Sequence, residues 1–149
     1  MTKQRVLSLT LVAVLLVSVL GMAANQEILL IPIGTTTEID GSQPSYVSIG
    51  WAEYADVWKA LGYKNYRSYI EGEEIKRMLD IDGTIVEPTS LAIHFDPHNP
   101  SYGAIWTAMW TFRFKPNELP AGTHRFQGWV QFEGDAWPSS FRWITVNYP

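Results

Sequence analysis

With no cysteine among its 149 residues, the chain leaves metal and acid–base chemistry to three histidines and 15 carboxylates. The densest combination is His94-Phe95-Asp96-Pro97-His98. On an extended strand residues 94, 96 and 98 project to one side, and two imidazoles with a carboxylate suit a zinc-type ion. Pro97 and Asn99-Pro100 bend the same stretch, so the competing reading is a strand end with Asp96 opening an Asx-type turn. His124 follows Gly122-Thr123 at the start of an apolar run, where a histidine commonly satisfies a turn, and nothing in the sequence brings it to His94.

The carboxylates give weaker patterns. Asp80-x-Asp82-Gly83 opens like a calcium loop but lacks the downstream ligands and closing glutamate, so it reads as a hairpin turn. Glu71, Glu73, Glu74, Glu133 and Asp135 could supply a hydrolytic pair, which needs two carboxyls about 5–10 Å apart, but acidic runs are ordinarily solvated faces. Ser139 and Ser140 lack the G-x-S-x-G setting of a nucleophile elbow. These residues define no catalytic set and call for no cofactor, so the chain reads as a non-enzyme.

Recognition chemistry is better supplied, by 7 Trp, 7 Tyr and 6 Phe, all beyond residue 24. A sandwich core can take Trp106, Trp110, Phe112, Phe126, Phe132 and Trp143. Trp129 alternates with Arg125, Gln127 and Gln131 on what should be the wetter side of its strand, and Trp137 sits in the turn GDAWP. Flat rings beside Arg and Gln suit stacking on a sugar or anchoring a protein. The alternative is that a helical segment covers Trp129 and that Tyr63, Tyr66, Tyr69 and Tyr102 cap the ends of the sandwich.

The elements positioning these residues are mostly strands. Period-2 alternation is clearest in 104–114 (AIWTAMWTFRF), where Trp106, Ala108, Trp110, Phe112 and Phe114 share one face. It recurs in 124–132, with Phe126, Val130 and Phe132 opposite Trp129. Further strands are expected at 27–33, 46–51, 74–81, 84–87, 91–95 and 141–147, with 34–44 as a polar loop and Asp82-Gly83 as a hairpin turn. Residues 53–72 break the pattern with two helical turns, for which Asn65 is the expected N-cap and Gly62 and Gly72 the stops. About seven or eight short strands roughly ten residues apart indicate an all-β antiparallel sandwich. The stretch 112–132 (FRFKPNELPAGTHRFQGWVQF) resembles the final hairpin of immunoglobulin-like and fibronectin-like modules in secreted microbial proteins. That resemblance implies an Ig-like sandwich outside the cytoplasm, without an activity.

Residues 1–24 set the expected location. Lys3 and Arg5 precede an apolar, uncharged run at 6–20, and Gly21-Met22-Ala23-Ala24 supplies small residues for cleavage. This is the layout of a secretory signal peptide, cut near Ala23-Ala24; a retained N-terminal anchor is the alternative. The remaining 25–149 form one expected domain with no membrane span. Removing Lys3 and Arg5 from 11 basic residues leaves nine against 15 acids, a net charge of −6. Such a chain is poorly suited to nucleic acid or anionic lipid. The expectation is an exported, non-catalytic binding or structural module with a protein or glycan partner. The alternatives are a glycan-binding module using Trp129 and Trp137, or a metal-dependent protein centred on His94, Asp96 and His98.

Overall fold

The computed structural model describes residues 25–54 and 56–149, so the signal-peptide expectation falls outside the described residues. Two sheets pack face to face. A four-stranded sheet has the order β1-β3-β7-β6, from β1 (Gln26–Glu27), β3 (Ser45–Tyr54), β6 (Ser90–Asn99) and β7 (Gly103–Phe114). A five-stranded sheet has the order β2-β9-β8-β4-β5, from β2 (Thr36–Asp40), β4 (Lys76–Ile81), β5 (Thr84–Val86), β8 (Gly122–Phe132) and β9 (Asp135–Asn147). Helices α1 (Val57–Ala60) and α2 (Tyr66–Gly72) lie between β3 and β4. Among the described residues no helix is long and apolar enough to cross a membrane.

The all-β expectation holds, but the sheets are mixed rather than antiparallel. β1 runs parallel to β3 and β2 runs parallel to β9. The cause is the N-terminal stretch, which starts on one sheet and crosses to the other. Residues 28–33, expected as a strand, make that crossing: Ile28 and Leu30 are buried between the sheets, while Leu29, Ile31 and Ile33 are exposed. Pro32 has no N–H for a ladder, and the Arg142 guanidinium binds the carbonyls of Leu29 and Ile31 instead, at 3.2 and 3.0 Å. The strand then forms at β2, inside the segment expected to be a loop.

The core follows the alternation of β7. Ala108, Trp110, Phe112 and Phe114 are buried beside Val47 of the neighbouring β3, facing Leu79 from β4, Phe126 from β8 and Ile144 and Val146 from β9. Trp106 continues that face towards the helices. Its ring lies 5.5 Å from Tyr66, 4.7 Å from Phe95 and 6.3 Å from Trp58. α2 starts as expected: the Asn65 side chain accepts from Ser68 N at 2.9 Å, and Ser68 Oγ accepts from Asn65 N at 3.1 Å. This capping box turns Tyr66, Tyr69 and Ile70 into the core, so Tyr66 and Tyr69 are core residues rather than loop caps. Fully burying each ring is worth on the order of 2–3 kcal/mol.

Candidate functional site

The outer face of the five-stranded sheet holds the residues singled out on β8, through the pairing of β8 with β9. Arg125 lies opposite Trp143, and Gln127 lies opposite Phe141. Trp143 was expected in the core, but Ile144 and Val146 take the inner face and turn it outward, 39% exposed. The Arg125 guanidinium stands 4.6 Å over the Phe141 ring and donates to Gln127 Oε1 at 2.8 Å. Two backbone links bind the end of the crossing segment to β9, the first from Gly34 N, which donates to Phe141 O at 2.9 Å. Trp143 N donates to Thr35 O at 2.9 Å. Gly34 therefore lies against the Phe141 ring, and Ile31 and Ile33, about 60% exposed each, precede it in the crossing segment.

Gln127 differs from its strand neighbours. It is 5% exposed, because β8 and β9 slip register between Gln127 and Trp129. Gly128 faces the extra residues of β9, and a Cβ there would come within 2.6 Å of Ser139 Oγ. The Gln127 amide fills the gap, donating to the carbonyls of Gly128 at 2.9 Å, Ser139 at 3.0 Å and Ser140 at 3.4 Å. It therefore satisfies a β-bulge whose carbonyls have left the ladder.

Trp129 and Trp137 are not side by side. Trp129 pairs with Pro138 and Trp137 with Val130, so the two indoles leave the sheet on opposite faces. Trp137 is 47% exposed; Trp129 is partly buried, its Nε1 enclosed without a hydrogen-bond partner among the described residues. The aromatic contacts of the helices run to Trp106. Gln131 sits farther along β8, opposite Lys76 on β4.

Of the three histidines, His98 and His124 sit at turns and His94 does not. His94 is exposed on β6, opposite Thr107. The turn expected at 96–100 lies within β6 as a bulge: Asp96 Oδ1 accepts from His98 N at 3.0 Å, and its Oδ2 accepts from Asn99 Nδ2 at 3.3 Å. Among the described residues no three His, Cys, Asp or Glu side chains are grouped to hold a metal ion. His124 has both ring nitrogens engaged, Nδ1 at 2.6 Å from Asp82 Oδ2 and Nε2 at 2.9 Å from Pro120 O. Asp82 also accepts from Arg125 N at 2.8 Å. That backbone donor, then the His124 hydrogen bond, hold the Asp82 carboxyl below its ordinary pKa. Asp82 and Gly83 adopt positive φ (52° and 89°), and Asp80 Oδ1 accepts from Gly83 N at 2.6 Å. The Asp-Gly pair is thus a hairpin turn that pins β4–β5 to β8.

No family model matches the chain, and neither does any curated protein. Among solved structures it is similar to the cysteine protease inhibitor EhICP2 from Entamoeba histolytica, at 12% identity over 82% of this chain and 95% of that one, with a TM-score of 0.43. It is also similar to Amebosin, at 10% identity over 83% and 99% of the two chains, with a TM-score of 0.41.

Proposed function

We propose that this chain is a non-catalytic binding module working outside the cytoplasm, and that its partner is a protein docked on the outer face of the five-stranded sheet. The observation that carries the reading is the Trp143–Arg125–Phe141 row, with the guanidinium already fixed 4.6 Å over a ring. Trp, Tyr and Arg dominate the energetics of protein interfaces, and a side chain ordered before binding loses less entropy on contact. The non-catalytic part is supported by how the titratable groups are used: His124, Asp82 and Asp96 are each spent on holding a turn. The signal-like layout of residues 1–24 supports the location.

A photocrosslinker at Thr145, on the same face, tests the site in extracts of the source cells. The expected result is a discrete protein adduct that Trp143→Ala removes and that the same crosslinker at His94 does not give. Adducts only from His94 contradict the reading, as does retention on polysaccharide that Trp137→Ala abolishes.

A further inference from the structure

A second feature lies on the open side of the sandwich, away from the Trp–Arg–Phe row. Between the end of α2, strand β4 and the entry to β6 is a cleft of about 630 Å³, within the range that holds small organic ligands. Ile75, Leu91 and Trp110 give it an apolar lining. Its charged lining is Glu71, Glu74 and Glu87 with two cations, exposed Lys76 and the half-buried Arg77.

Arg77 occupies an inward position on β4, two residues before the fully buried Leu79 and opposite Val130. Its Nε donates to Gly50 O of the other sheet at 3.0 Å, and its Cζ stands 5.8 Å from the Trp51 ring centroid. The side chain is therefore fixed between the sheets. Among the described residues no carboxylate lies within 4 Å of it, and its two terminal nitrogens make no hydrogen bond. Burial pulls this guanidinium below its ordinary pKa, yet an arginine stays charged at neutral pH. A half-buried cation with a free planar fork is matched by an anion that accepts two parallel N–H bonds.

We propose that this cleft binds a small monocarboxylate with an apolar, ring-sized body, its carboxylate paired with Arg77 and its body resting on Trp110 and Leu91. The apolar lining selects the body. Glu74 and Glu87 select a single negative charge, because a doubly charged phosphate would meet both carboxylates in the same space.

Titration calorimetry on the full chain tests this with N-acetylphenylalanine, its amide and phenyl phosphate. The acid should bind at least tenfold more tightly than the amide and than phenyl phosphate. Arg77→Met should remove that preference, and Glu87→Gln should narrow the gap to phenyl phosphate. Because Arg77 also ties the sheets together, Leu91→Trp is the second variant: it fills the cleft without touching Arg77 and should abolish binding. Equal binding of acid and amide overturns the proposal, as does no binding at millimolar concentration or full binding by folded Leu91→Trp. Trp143→Ala should leave the titration unchanged, which separates this cleft from the protein-docking face.

Discussion

Gln127 and Gln131 are the same residue type on the same strand, and the structure assigns them different work. Gln127→Met keeps the side-chain volume and removes the amide. The carbonyls of Gly128, Ser139 and Ser140 at the bulge, the first of these bonds buried and the other two partly so, then lose this donor. A buried acceptor left without a partner costs about 1–3 kcal/mol. The 3.4 Å bond to Ser140 is the weakest of the three, and exposed Arg125 can turn its freed N–H to water, so we expect a loss of about 2 kcal/mol. For a domain of this size that is on the order of 6–8 °C in Tm. Gln131→Met removes no protein hydrogen bond found among the described residues and should stay within about 0.5 kcal/mol of the parent. Urea unfolding followed by tryptophan fluorescence measures both free energies, with calorimetry for Tm. If the two variants lose the same stability to within about 0.5 kcal/mol, the bulge does not depend on Gln127 and the account of β8 is wrong.

Two further outcomes follow from the same packing. Trp106→Ala removes the ring shared by Tyr66, Trp58 and Phe95, and should cost about 3–5 kcal/mol, whereas Trp137→Ala, at an exposed indole, should cost under about 1 kcal/mol; chemical denaturation of both checks the ordering. Burial, with Glu53 adding to it, pushes the Tyr69 phenol up to about 12, so the folded state holds this proton more tightly than the unfolded one. The stability it contributes is complete below pH 10 and is lost as pH rises towards 12. Tyr69→Phe should therefore flatten the alkaline limb of a stability-against-pH curve, and an unchanged limb would mean that Tyr69 ionises freely in the folded protein.

Several elements were legible because their signals are local. The β7 face from Trp106 to Phe114 follows from alternation, the Asp82-Gly83 turn from its demand for positive φ, and the start of α2 from a capping asparagine. Other expectations failed where a distant segment decided. Residues 28–33 are apolar enough for a strand, yet the crossing between sheets and the Arg142 clamp hold them outside either ladder. The loop expected at 34–44 contains β2, because β9, more than a hundred residues away in sequence, offers it an edge. Trp143 is among the rings a sandwich core could take, but the parity of β9 is fixed by Ile144 and Val146, and a one-residue step moves a side chain to the other face.

The candidate sites divide in the same way. Arg125 and Gln127 could be placed on one side of β8 from alternation alone, but the slip at Gly128, which buries Gln127 and sets Trp129 and Trp137 on opposite faces, arises only when β8 and β9 pair. Arg77 carried a readable signal, a cation in phase with Leu79 and Ile81, though not its lack of a carboxylate partner. By itself the sequence determined an all-β chain with a short helical insertion and a core built on β7, since period, turn chemistry and capping act over a few residues. Only the tertiary structure decided the parallel edges, the Trp–Arg–Phe row and the cleft around Arg77. Each of these depends on which distant strand supplies the neighbouring edge, and sheet pairing is a contact between residues far apart along the chain.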